Sequence, residues 1–369
     1  MYQALMIWPV LLAGAVAGME LEPVSSAEFC GACHRAIHEA WKESAHAVAM
    51  ESRLFQDALE GAESELGVSG RKICLGCHAP LAQLTDDLTL RTKVSWEGVT
   101  CDYCHSMRRV MTIDGNPTAA LQLSTVKSGP LKDASSIAHG TEFSDVHISS
   151  EVCAPCHQYR NSQGFDVLTT YDEWSSSSYY DKGVQCQSCH MGSVAGNVVD
   201  PRIQRTEGST VNLHEMPGGH SFTQLNQAVR SRLTTTRQTD QLEVAVELVN
   251  VSGGHYVPTG SPLRELRLDV TADAYQGQDY QEQRSYRRVV GDSEGNEITR
   301  EQDAFVRAAK VLADTRLAPN ETRTEKFSFA VPQNVAVQVT ARLSYYYSPM
   351  AGGEPRQHVV FRTISRFVR

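Results

Sequence analysis

All ten cysteines of this 369-residue chain fall in one pattern, Cys-x-x-Cys-His. The five copies are Cys30/Cys33/His34, Cys74/Cys77/His78, Cys101/Cys104/His105, Cys153/Cys156/His157 and Cys186/Cys189/His190. Two thiols at this spacing can add to the vinyl groups of one porphyrin, and the next residue is placed to bind its iron; the pentapeptide is the attachment signature of c-type haem. From this composition chance would assemble only about 0.01 such motifs, so five copies need a chemical cause. Zinc uses paired Cys-x-x-Cys units but gives no reason for a histidine after every second cysteine. Disulfides give no reason for the spacing to recur. The sequence therefore predicts five covalent haem c groups, with His34, His78, His105, His157 and His190 as proximal iron ligands.

A haem that only carries electrons usually has two strong axial ligands, and eight of the 13 histidines are left to supply the second. His46, at the end of Trp41-x-x-Ser44-x-His46, reads as a distal ligand. The pattern recurs as Trp174-x-x-Ser177-x-Tyr179, where the tyrosine is expected to pack on a haem or bond a propionate. His38 lies four residues past His34 on one helix face, which suits a neighbouring haem or a propionate better than its own. His139 has the reach of a ligand, whereas His147 is close to Cys153 and sterically awkward for that haem. His214 and His220 flank Met216-Pro217-Gly218-Gly219, where glycines allow backbone to approach a flat ring closely. His255 sits in a Gly-Gly-His-Tyr-Val-Pro-Thr-Gly turn that could present it to a haem across a domain interface. The ligand set expected is thus His46, His139, His214, His220 and His255; His358 reads as a surface residue.

The elements that must hold these groups change character along the chain. The motifs span residues 30 to 190, about 32 residues per haem, too little protein to give each its own apolar core. Porphyrins packed on one another by short helices and loops must serve as the core. A helix is expected from Glu28 to about Gly61, with Ser25 or Ser26 as N-cap. After about residue 235 the period becomes two. Leu242, Val244, Val246 and Leu248 alternate with more polar neighbours, and so do Leu266, Leu268 and Val270. Phe327, Phe329 and Val331, then Val337, Val339, Ala341, Leu343 and Tyr345, continue the pattern. Alternation of this kind marks strands with one buried face, and several in succession read as a small antiparallel β-sandwich. The fold class expected is α+β: a mostly helical and loop, haem-packed part over 18–230, then a β-sandwich over 231–369, with the boundary between Ser221 and Gln241.

Residues 1–17 carry no charge, and the apolar run from Ala4 to Ala17 is short for a membrane span. With Ala15-Val16-Ala17 as a small-residue cleavage site, it reads as a signal peptide, or as a weak N-terminal anchor since no basic region precedes it. Export to the periplasm or outer surface is also where haem is ligated to cysteine. The net charge of −9 argues against nucleic acid, which requires a basic face. Ten propionates and five ferric irons bring the formal total to about −14 oxidised and about −19 reduced, which favours redox partners with basic docking patches.

These motifs, the two tryptophan segments and the run from Gly183 to Met191 resemble multihaem c-type cytochromes of the cytochrome c-554-like group. The Gly-Gly-His-Ser run and the Gly-His-x-x-Pro-Thr-Gly turn are similar to members that carry a C-terminal β-sandwich. The resemblance is good over roughly residues 25–270 and loose beyond. It implies that His46 is a distal ligand, and that the chain moves electrons between quinol-linked or periplasmic donors and terminal acceptors. The function expected is a pentahaem electron carrier with mostly bis-histidine haems and no catalytic residue. Two alternatives stand beside it: an oxidoreductase acting on a small nitrogen or sulfur compound at one open haem, and a subunit of a homo-oligomeric extracellular filament. A membrane-associated complex is compatible with either. No Cys-x-x-Cys-Lys motif and no spare cysteine occurs in the chain.

Overall fold

A computed structural model describes residues 23–204, 210–251, 253–347 and 356–369; the expected signal peptide or anchor at 1–17 lies outside them. No helix among the described residues is long and apolar enough to cross a membrane.

The C-terminal strands form two antiparallel sheets packed face to face. One has the order Thr322–Phe329, Leu242–Asn250, Val229–Arg237; the other has Tyr280–Tyr286, Glu265–Ala274, Val337–Tyr346, His358–Val368. The alternation read from sequence is the cause. In Leu242–Asn250 every second residue from Leu242 is buried and the rest are half-exposed. Leu266, Leu268 and Val270 pair with Tyr345, Leu343 and Ala341, which places all six on one face. They close one large apolar core with Val244, Val246, Phe327 and Phe361.

The N-terminal part is mostly short helices and loops, as expected, and its apolar clusters are small: one around Met50, Phe55, Leu59 and Leu75, others around Tyr103 and Met107 and around Trp41. The long helix expected from Glu28 to Gly61 is a correction. It is three pieces, Ala27–Gly31, Arg35–Lys42 and Arg53–Leu66. Cys33, which that reading placed inside a helix, lies instead in the turn between the first two pieces. His34 leaves the helical region at φ −92°, ψ 51° to turn its ring inward, and residues 43–52 turn to bring His46 inside. Ser26 does cap the first piece, its hydroxyl accepting from the Phe29 amide at 3.2 Å. Hairpins missed by the helical reading also occur. Met107–Ile113 pairs with Asn116–Leu121 through an Asp114-Gly115 turn with φ of 50° and 77°, the left-handed pair such tight turns demand.

The two parts interlock. The helix Glu301–Arg307, inserted between sandwich strands, lies on Arg53–Leu66, where Arg307 pairs with Glu65 at 2.8 Å. The turn after Leu242–Asn250 carries His255 back onto the N-terminal part.

Candidate haem-binding sites

A motif wound through one helical turn brings positions i, i+3 and i+4 to one face, so two thiols and an imidazole point the same way. Cys101–His105 and Cys186–His190 are complete short helices, and Val68–His78 ends on its motif, with Cys74 and Cys77 in its last turn. The first motif departs from this, because Ala27–Gly31 ends ahead of Cys33. Two tight bonds to the Cys30 carbonyl replace the helix: from the Cys33 amide at 3.1 Å and from the His34 amide at 2.9 Å. The Cys33 carbonyl in turn accepts from the Asp200 amide at 2.8 Å, tying this turn to a segment beyond the fifth motif. Cys33 is thus placed by a turn and a distant loop, where its counterparts are placed by a helix.

Cysteine is ordinarily among the most buried residues, yet none of the ten is fully buried, and Cys189 is exposed. His157 is likewise exposed, although the protein around it desolvates the ring enough to pull its pKa down to about 3.

Histidines from distant segments lie opposite the motif histidines. Ring centroids are 6.1 Å apart for His34 and His139, 6.2 Å for His157 and His46, 6.4 Å for His105 and His214, and 6.3 Å for His190 and His255. A metal–imidazole bond of about 2.0 Å, with the ring centroid about 1.1 Å behind the nitrogen, puts two trans imidazoles roughly 6.3 Å apart. All four pairs fit one iron between them.

Ring orientation agrees. A ligating histidine donates its other N–H to a fixed acceptor, which leaves Nε2 free for metal. Nδ1 donates to the Val198 carbonyl from His34 (2.9 Å), to Ser128 from His105 (2.6 Å) and to Pro217 from His190 (2.6 Å). Opposite them, His139 donates to Gly140, His214 to Asn212 and His255 to Tyr256, each at 2.8 Å. His46 Nδ1 meets Met216 Sδ at 2.9 Å. The segment 212–217 thus anchors histidines of three of these pairs. Burial lowers the pKa of His34, His46, His105 and His255, and of His214 to about 4, so these rings are neutral donors near pH 7.

The second motif differs. Among the described residues no histidine ring faces His78; Phe55 stacks on it at 4.1 Å, and its Nδ1 bonds the Ala49 carbonyl at 3.2 Å. Burial pulls its pKa down to about 4.

Two histidines and one tyrosine depart from their expected places; His147 is not among the expected ligands. His220, expected as a ligand, packs on Tyr347 at 4.2 Å instead of opposite a motif histidine. His147 lies 5.4 Å from His105, too near to be trans across an iron, and its Nε2 is committed to the Cys104 carbonyl at 2.9 Å. His38 folds over Gly31, where a Cβ would meet its ring at 2.5 Å. Tyr179 neither lies on a motif histidine nor waits for a carboxylate: its hydroxyl donates to the Val251 carbonyl at 2.9 Å.

Several buried polar atoms lack a protein partner, and a cluster of them surrounds the third motif: Thr100 Oγ1, Ser106 Oγ, Arg108 Nε, Ser144 Oγ and His147 Nδ1. Leaving such atoms unsatisfied costs about 1–3 kcal/mol each. A porphyrin bearing two carboxylates is a group that could meet them, so the residues present fit haem. Thiols of different motifs also lie near one another, in the pairs Cys30–Cys101, Cys77–Cys156 and Cys153–Cys186, and Tyr103 of the third motif packs in one cluster with Cys156 of the fourth. Motif one therefore abuts three, three abuts four, and four abuts both two and five.

Residues 29–106 match the family model of cytochrome c554 and c-prime. The cytochrome c-554 of Nitrosomonas europaea is 28% identical over 141 residues, 37% of this chain and 57% of that protein. The chain thus spans a little over half the length of this curated relative. A crystal structure of a penta-heme cytochrome c552 from Thermochromatium tepidum superposes with a TM-score of 0.73 at 24% identity, over 94% of this chain and 99% of that one. That likeness is one of fold.

Proposed function

We propose that this chain, a multihaem c-type cytochrome, holds five haems and passes electrons singly along them between exported redox partners. The observation that carries the reading is the set of four histidine pairs at 6.1–6.4 Å, each joining one motif histidine to a residue far away in sequence. Haem supplies a one-electron iron couple whose potential follows axial ligand, burial and nearby charge. The chain's own part is to fix those three. His34/His139, His105/His214, His157/His46 and His190/His255 supply paired nitrogen donors. Carbonyls of Val198, Ser128 and Pro217 orient the motif rings. The contacts between motifs set a path one–three–four–five, with two branching from four.

Coulometric reduction of the purified protein tests the count. Five electrons per chain are expected, together with a mass increase of five haems; fewer of either overturns it.

A second reading, an oxidoreductase with one open iron, is favoured by His78, which has a phenyl ring beside it and, among the described residues, no opposing histidine. On this reading the second site meets the small molecule and the other four deliver or remove electrons.

The acidic chain predicts how partners are met. Exposed charges interact over about 10 Å at 0.1 M salt, and steering by opposite charge raises encounter rates accordingly. Stopped-flow electron exchange with a basic redox protein should slow several-fold from low to moderate ionic strength, with potentials little changed. A rate indifferent to salt would mean docking through an apolar surface or a permanent assembly.

A further inference from the structure

The two tryptophan segments are one structural device used twice. Trp41 donates its indole N–H to the Val99 carbonyl at 2.9 Å, and Trp174 donates to Val184 at 2.9 Å; each acceptor lies two residues before the first cysteine of a motif. The Val99 amide bonds the His46 carbonyl at 2.9 Å, as Val184 bonds Tyr179 at 2.9 Å. The preceding glycines, Gly98 and Gly183, share φ values of 66° and 69°. The copies share the Trp and the Ser, and two of their five differences bear on the second copy's role. His46 becomes Tyr179, and Ala40 becomes Glu173.

Both changed residues reach the turn that carries His255. The Tyr179 hydroxyl donates to the Val251 carbonyl at 2.9 Å. Glu173 Oε2 accepts from the Tyr256 amide at 3.1 Å and from Thr259 Oγ1 at 2.7 Å. Its Oε1 accepts from Arg316 at 2.7 Å, and the two side chains are 6% and 8% exposed. The Arg316 guanidinium lies 4.6 Å over the Tyr256 ring, closing the clasp from the sandwich side. Burial raises the Glu173 carboxyl most, and Arg316, Thr169 and Thr259 together outweigh it and hold the group below the usual carboxylate range.

We propose that the second copy has exchanged supplying a ligand for positioning one: Glu173, aided by Tyr179, fixes the turn that aims His255 at the fifth site. This rests on His255 being an iron ligand, and it makes the clasp between the two parts of the chain a determinant of the fifth haem's spin state and potential. A buried carboxylate with four donors, the Thr169 hydroxyl at 2.7 Å among them, resists displacement, because removing it leaves the Tyr256 amide, the Thr259 hydroxyl and Arg316 short of partners together. Glu173 is a positioning residue and touches no reacting atom.

The test compares low-temperature EPR of oxidised full-length variants. His255→Ala should give one new high-spin ferric haem per chain. Glu173→Ala, with His255 in place, should give a new high-spin signal of roughly a third or more of that size, as the turn shares its time between ligated and released states. Glu173→Gln, which keeps an oxygen for Tyr256 or Thr259, should restore most of the low-spin signal. Unchanged spin states and g values in Glu173→Ala, with only the melting temperature lowered, overturn the proposal. His255→Ala that adds no high-spin haem overturns the ligand reading beneath it instead. Should Glu173→Ala fail to accumulate, Tyr179→Phe and Thr259→Val each remove a single hydroxyl. A shift in the g values of one low-spin haem in either supports the clasp, and identity with wild type in both overturns it.

Discussion

His46→Ala should convert one haem from low-spin to high-spin ferric and shift its potential, while all five haems stay covalently attached. Attachment depends on the thiols of the fourth motif, and none lies near residue 46 in sequence. Ligation depends on the His46 ring, which stands 6.2 Å from His157 and contributes the far half of that pair. A Cβ on Gly98 would meet the His46 carbonyl at 2.2 Å, so the backbone here is held closely. Added imidazole should restore the low-spin spectrum by occupying the space the side chain leaves. An unchanged EPR spectrum in His46→Ala would mean that the fourth haem takes its sixth ligand elsewhere.

An effect of equal size is expected at the third site, where two histidines compete for one role. His214→Ala should open this haem and produce a high-spin signal; His147→Ala should leave it low-spin. The rings lie 6.4 Å and 5.4 Å from His105, and only the longer separation admits an iron between two nitrogens. Hydrogen bonding separates them further. His214 spends Nδ1 on the Asn212 carbonyl and keeps Nε2, whereas His147 spends Nε2 on Cys104. His147→Ala should instead lower stability, since the ring is half-buried against the third motif. Magnetic spectra of the two variants with the opposite ranking would reverse the assignment.

What the sequence revealed follows from how far each interaction reaches along the chain. The Cys-x-x-Cys-His motifs were plain because covalent chemistry requires contiguous residues, and the sandwich strands because a half-buried strand must alternate. His46 was legible through its tryptophan segment, whose indole N–H holds the approach to the third motif. The pairing itself was not legible. His139 faces His34 and His214 faces His105 across more than a hundred residues, and no local period encodes such a meeting. His220 had the same glycine-rich setting as His214, and only the position of Tyr347 separates them. The expected long helix broke at Cys33 and again after Lys42, because ligand placement outweighed the helical preference of alanine, glutamate and leucine. The Asp200 amide that holds the Cys33 carbonyl lies far along the chain, so nothing local announced that turn. Glu173 escaped notice, although comparing the copies would have flagged a carboxylate where the first has Ala40.

The central claim is that four facing histidine pairs are four pairs of axial ligands, and that the second motif stands apart. Low-temperature EPR of the fully oxidised wild-type protein, with spins integrated against the iron content, tests it most directly. Four low-spin ferric haems and one high-spin haem are predicted for each chain. Two or more high-spin haems would break the histidine pairing, and five low-spin haems would place a strong ligand opposite His78.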